Sequence, residues 1–257
     1  LKQIASIYSY LGESESAVSY YEQALSVGYE ESCVVRMEIV MDLVEEYRQL
    51  GDMESAAKYD RQMDTLFTST DDLEARCVYY GYKGDAAKMR KEYRIAEQWY
   101  VKALDAAEEM TIDGEKHSRY RLCRFDLGTF YHAVGRYDDA LYWLNDSFEK
   151  ETDIERDYLS YILIADILLK KGDGKGAEAV LDTLSRLEPV IDEPRQLSKI
   201  HILRGDLDLL NKDYQSALED YLNADAIMAA KYPAGDEERA MLFARIGGVE
   251  HKLGNYI

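Results

Sequence analysis

The sequence predicts an all-α protein, a solenoid of antiparallel helix pairs, and three observations carry that reading. Alanine returns early in six amphipathic segments, at Ala17, Ala56, Ala96, Ala140, Ala177 and Ala217. The interval is about 40 residues, and a fixed period of this size is the signature of stacked repeats. A turn glycine precedes most of these alanines, as Gly12, Gly51, Gly135 and Gly172, and recurs at Gly254, while Lys91 and Lys212 stand in its place twice. Only 3 prolines occur in 257 residues rich in Ala, Leu, Glu, Lys and Tyr, so little interrupts helix.

The best preserved copy is Phe130-Tyr-His-Ala-Val-Gly-Arg-Tyr-Asp-Asp-Ala-Leu-Tyr-Trp-Leu. One helix ends at Gly135, and the next brings Ala140 inward, where a small side chain lets two helices approach to roughly 8–10 Å. The period divides the chain into units 1–30, 31–70, 71–111, 112–151, 152–190, 191–234 and an incomplete 235–257, all within one solenoid domain, 1–257. The first helix occupies Leu1 to Leu11. Ser14 or Ser16 caps the next, which runs to about Val27 and ends at Gly28 in a left-handed cap. The second unit spans Ser32 to Phe67, with its turn at Gly51-Asp52, and Thr68-Ser-Thr-Asp-Asp is a loop and helix start. Tyr79-Tyr-Gly-Tyr-Lys-Gly has the composition of a loop, but its register against Ala96 places it in a helix. Thr111-Ile-Asp-Gly-Glu-Lys holds the extra residues of the longest interval as a turn. Glu188-Pro-Val-Ile-Asp-Glu-Pro is a linker, because its prolines forbid continuous helix. Unit six starts near Arg195, Tyr232-Pro-Ala-Gly breaks it, and a last helix begins near Asp236. No partner for that helix follows Gly254. Two expectations stand: the chain is a piece of a longer protein, or the final helix is itself the cap.

The first helices carry a small residue near their middle, at Ala5, Val44, Gly84, Gly128, Ala165, Gly205 and Gly247, with an aromatic one turn on at Tyr8, Tyr47 and Tyr131. The second helices repeat alanine, a large apolar residue and a small residue, as in Ala96, Tyr100 and Ala103, and Pro189 closes the fifth unit. In these residues the chain resembles the tetratricopeptide repeat family from Leu1 to Ile257. The second unit departs, with Asp60 and Met63 at the large and small positions. The interval also exceeds the family's usual value of about 34; in length alone it is similar to the extended repeats of kinesin light chains and of bacterial peptide-sensing regulators. The resemblance implies a right-handed superhelix whose first helices line a groove that receives a peptide or another protein's helix.

Carried across the repeats, one recurrent inward position holds Ser6, Glu45, Asp85, Thr129, Asp166, Asp206 and Gly248, with Asp42 and Asp126 one turn earlier. Phe125, Ile162 and Ile202 supply apolar neighbours, joined by Met41, Leu169 and Leu209, and His132 faces the same way. The Lys and Asn clamp of chaperone-binding members is absent. Such a groove suits a protein or peptide bearing basic and apolar residues. The competing reading makes the acids part of a generally acidic, soluble surface. On the first reading, reversing Asp166 and Asp206 weakens binding and leaves helicity intact.

Net charge is −19, which repels nucleic acid and anionic membranes. No apolar run approaches the roughly 20 residues of a membrane span, and no signal peptide opens the chain. Cys33, Cys77 and Cys123 are odd in number and unpaired in pattern, which favours a reducing compartment, the cytoplasm. Oligomeric state is not encoded legibly.

No enzyme is expected. Lys171-Gly-Asp-Gly-Lys-Gly lacks the full phosphate-loop spacing and falls at an inter-helix turn. His117, His132, His201 and His251 are scattered, and no His-x-x-x-His or Cys-x-x-Cys offers metal-ligand spacing, so neither a metal nor a cofactor is implied. Asp71-Asp72 and Asp138-Asp139 sit at helix starts, where acids complement the helix dipole. The reading is a non-catalytic binding scaffold; the alternative is a sensory or regulatory region of a larger protein with its output domain elsewhere.

Overall fold

The computed structural model describes residues 1–27, 32–112, 115–145, 154–187, 191 and 193–254. The described chain is helical apart from one small hairpin, and it divides into two compact units, Leu1–Phe130 and Tyr131–Ile257. The first unit holds α1 (Lys2–Tyr10), α2 (Ser14–Val27), α3 (Cys33–Gln49), α4 (Met53–Thr68), α5 (Leu73–Met89) and α6 (Tyr93–Glu109). The strands β1 (Thr111–Ile112) and β2 (Glu115–Lys116) follow, and then α7 (Ser118–Ala133), in which the division falls. The second unit holds α8 (Tyr137–Asn145), α9 (Ile154–Lys170), α10 (Gly174–Leu187), α11 (Pro194–Leu210), α12 (Tyr214–Ala229) and α13 (Glu237–Leu253).

Within each unit the helices pack as antiparallel pairs: α1 with α2, α3 with α4, α5 with α6, α9 with α10, and α11 with α12. First helices of successive pairs also touch, α3 against α5 and α9 against α11. The six anchor alanines are at most 4% exposed. The close approach is tightest at two glycines. A Cβ on Gly84 would lie 2.8 Å from the Tyr100 ring, and one on Gly205 would lie 2.6 Å from that of Tyr221. Gly247, the counterpart of these two in α13, is exposed and has nothing within 4 Å of its Cβ direction.

Each turn inside a pair is built the same way. The N–H of Glu13, Asp52, Glu92, Arg136, Asp173 and Asp213 closes back on the carbonyl five residues earlier, at 2.8 or 2.9 Å. That closure is a Schellman motif and needs a left-handed residue just before the donor. Gly12, Gly51, Gly135 and Gly172 supply it with φ of 75–77°. Lys91 and Lys212, which break the glycine pattern in the sequence, take the same conformation at φ 61° and 64°. The motif, rather than the residue type, is what repeats. The aspartate that follows then caps the next helix, as Asp52 accepts from Ser55 N–H at 3.0 Å and Asp213 from Ser216 N–H at 3.2 Å.

A left-handed backbone costs an L-residue roughly 1–2 kcal/mol, while the added chain freedom of glycine offsets about 0.4–1 kcal/mol of any relief. Lys212→Gly is therefore expected to raise stability by about 0.5–1 kcal/mol, read from the denaturant midpoint. A lowered midpoint would mean that the lysine side chain makes a stabilising contact the backbone argument ignores.

Several local expectations change. Ser14 is the first residue of α2 rather than its cap, and its hydroxyl donates to Gln49 Oε1 at 3.2 Å. In the stretch expected as a turn, Thr111–Ile112 and Glu115–Lys116 pair antiparallel, Thr111 opposite Lys116 and Ile112 opposite Glu115, while 113–114 lie outside the described residues. Tyr79 to Gly84 lies inside α5, as its register required. Gly28, Pro189 and most of the linker from Glu188 fall outside the described residues. At that linker's end Pro194 opens α11, and Glu193 accepts from Arg195 N–H.

Candidate functional site

The recurrent inward position does two kinds of work. In three pairs its side chain meets a tyrosine fifteen residues on, in the second helix of the same pair. Ser6 bonds Tyr21 at 3.1 Å, Asp85 accepts from Tyr100 at 2.6 Å, and Asp206 accepts from Tyr221 at 2.6 Å. Burial, and then the neighbouring carboxylate, push the hydroxyls of Tyr100 and Tyr221 far above the usual tyrosine range. Burial raises Tyr21 to about 12 against its Ser6 bond. Where the sequence lacks that tyrosine, the position is released. Glu45 is exposed, Thr129 keeps a buried hydroxyl without a hydrogen-bond partner, and Asp166 turns to His132. The irregular second pair reverses the bond: Asp60 on α4 accepts from Tyr82 on α5 at 2.6 Å, and Met63 is fully buried.

In the first unit, two adjoining cavities of about 350 and 230 Å³ open on the first helices α3, α5 and α7. Asp42, Glu45 and Asp85 line the larger, together with Met41, Ala86 and Met89. Asp85 and Asp126 line the smaller, with Glu38, Val78 and Leu122. Met41, Tyr82 and Asp85 line both, so the cavities lie side by side. No second-helix residue contributes to either. Burial raises the Asp42 carboxyl above the usual range, opposed by its hydrogen bond from Tyr21 and by the charge of Lys2. Phe125 is half-buried on α7 and lines neither cavity.

The cations of this groove were missed from sequence. Arg48 and Lys88 line the larger cavity, each three residues after an inward acid, and Lys88 pairs with Asp85 at 2.7 Å. Arg119 lines the smaller and reaches two neighbouring helices, Glu74 on α5 at 2.8 Å and Glu38 on α3 at 3.3 Å. Lys2 on α1 closes on the same Glu38 at 2.6 Å. An acid-x-x-base spacing repeated at Glu45/Arg48 and Asp85/Lys88 was the available signal for the first two; nothing local announced Arg119.

In the second unit the inward acids are occupied by the chain itself. Asp166 on α9 lies 2.5 Å from His132 Nε2 on α7 and 2.6 Å from Lys170 Nζ. Burial works to raise its carboxyl, but those two bonds outweigh burial and hold it below the usual range. Asp206 receives Arg245 of α13 as well as Tyr221. Ile162 is buried and Ile202 half-buried. Charge reversal at Asp206 would therefore strand a buried tyrosine hydroxyl and break an ion pair, so the expectation that Asp206 can be reversed without structural cost does not hold.

Among the described residues, no three His, Cys, Asp or Glu side chains gather as a metal site. No described helix is long and apolar enough to cross a membrane.

The tetratricopeptide repeat family matches residues 1–34. No curated protein matches the sequence. Among solved structures, the apo form of RapI is similar with a TM-score of 0.70 at 14% identity, over 99% of this chain and 71% of that one. A tetratricopeptide repeat protein from Parabacteroides merdae gives 0.58 at 20% identity, over 96% and 82%. A signal transduction ATPase with numerous domains from Pyrococcus horikoshii, described as having a tetratricopeptide repeat sensor, gives 0.63 at 17% identity, over 99% of this chain and 41% of that one. By sequence over residues 1–34 and by fold over the described helices, this is a tetratricopeptide-like helical repeat protein.

Proposed function

We propose that the chain is a non-catalytic module that binds a protein or a peptide along the first helices of its pairs. One observation carries this reading: two adjoining cavities in the first unit are lined by α3, α5 and α7 alone, with apolar and charged side chains among their lining. The lining methionines adapt to varied apolar side chains, while Asp42 and Glu45 offer charge to a basic residue beside them. A ligand that alternates basic and apolar residues fits best. Nucleic acid and anionic membranes are disfavoured by a net charge of −19. The module works in the cytoplasm, where the reducing poise keeps its resting cysteines as thiols.

A random-peptide display selection on the immobilised protein tests the reading. The enriched peptides should carry Lys or Arg separated by aliphatic residues. Glu45→Lys should weaken them about tenfold, equal to 1.4 kcal/mol, because this acid is exposed and its reversal leaves the fold alone. Glu54→Lys, on a second helix of the same unit, should change affinity little. Peptides indifferent to Glu45 and sensitive to Glu54 would move the site off the groove.

A second reading has the chain as the sensory region of a larger regulator. The fold shared with a repeat sensor that occupies only part of its protein favours it. Both readings need the same groove.

A further inference from the structure

The binding reading leaves two buried nucleophiles unexplained. Cys77 on α5 and Cys123 on α7 are free thiols, 2% and 3% exposed. Both line the smaller cavity, beside Arg119. The two thiols face the same cavity and each shifts the other's titration, and Cys77 Sγ donates to the Ala103 carbonyl at 3.3 Å. Packing alone asks for two small side chains here, not for two sulfurs lining one cavity. The third cysteine, Cys33, is half-buried on α3, where its thiol donates to the Leu66 carbonyl at 3.9 Å.

We propose that Cys77 and Cys123 are a peroxide-responsive pair, forming a reversible intramolecular disulfide that ties α5 to α7 at the floor of the groove.

The roles within the pair are unequal. The neighbouring Cys123 lowers the Cys77 thiol pKa against burial, and the charge of Arg119, which lines the same cavity, adds to the effect. Its neighbour Cys77, together with burial, raises Cys123 well above the usual thiol range. Cys77 is thus the attacking thiolate and Cys123 the resolving thiol. The Cys77 sulfur attacks one oxygen of hydrogen peroxide; an S–O bond forms, the O–O bond breaks, and hydroxide leaves to be protonated to water. Cys123 sulfur then attacks the Cys77 sulfenic acid; the S–S bond forms, the S–O bond breaks, and the oxygen leaves as a second water with the Cys123 proton. Two thiols lose two electrons and one peroxide gains them. A small dithiol reverses the bond by exchange.

The test treats the full reduced chain with hydrogen peroxide, removes the oxidant, and alkylates the remaining thiols after unfolding. Peptide mapping without reductant should find the Cys77 and Cys123 peptides joined. Free Cys77 thiol should fall about tenfold relative to Cys33, and dithiothreitol should restore it. In Cys123→Ser, the dimedone adduct of a sulfenic acid should accumulate at Cys77; in Cys77→Ser, Cys123 should stay reduced. The mapping of the unsubstituted protein stands whether or not either variant folds. The proposal fails if Cys77 and Cys123 remain alkylatable after peroxide, or if Cys33 is the thiol consumed, by overoxidation or by linking two chains.

Discussion

Tyr221→Ala should cost about 3–5 kcal/mol, the range for removing a large buried aromatic side chain. The ring is fully buried and packs on Gly205, and its hydroxyl fixes Asp206. Tyr221→Phe keeps the ring and removes only the hydroxyl, so about 1–2 kcal/mol is expected; Arg245 still neutralises Asp206. Equilibrium urea unfolding gives both numbers, and hydrogen exchange locates the damage. Protection should fall in α11 and α12 first, because each pair leans mainly on its neighbours. If Phe were as damaging as Ala, the tyrosine–acid bond would outweigh the packing, contrary to the geometry.

Arg119→Leu is expected to destabilise the first unit by about 2–3 kcal/mol. Removing one partner from a fully buried pair costs about 3–5 kcal/mol, and solvent still reaches Arg119, which is 16% exposed. The variant also changes the acid limb of stability. Burial works to raise the Glu38 carboxyl, but hydrogen bonds from Lys2 and Arg119 prevail and hold it below the usual glutamate range. A carboxyl lowered in the folded state stabilises fully above its unfolded pKa, and that contribution disappears as pH falls through the folded value. The native chain should therefore lose more stability between about pH 4.5 and 3 than Arg119→Leu does. Unfolding midpoints across that interval check it, and parallel curves would remove Glu38 from the account.

The alanine period, the turns and the helix at Tyr79 to Gly84 were legible because helix packing imposes local rules: a small residue at each close approach, and a left-handed residue at each reversal. Lys91 and Lys212 show the limit of reading residue types, since the backbone motif recurs where glycine does not. The inward acids were legible as a position but not as a role. Whether Asp85 or Asp206 binds a ligand or a tyrosine depends on the residue fifteen places on, and that pairing was written in the sequence as Tyr100 and Tyr221. The Arg119 bridge was not. Its partners lie on two earlier helices, and no local spacing records a contact between helices so far apart in sequence.

That bridge joins Glu38 to a residue 81 positions later in the chain. Repeat arrays otherwise assemble from near neighbours, so they can nucleate anywhere and fray from an end. A link of such long span closes a large loop and rewards the chain only once α3, α5 and α7 are all in place. The first unit therefore acquires a cooperativity that its repeat-by-repeat construction alone would not supply: its three groove-lining helices melt as one block, and the binding surface persists or vanishes whole.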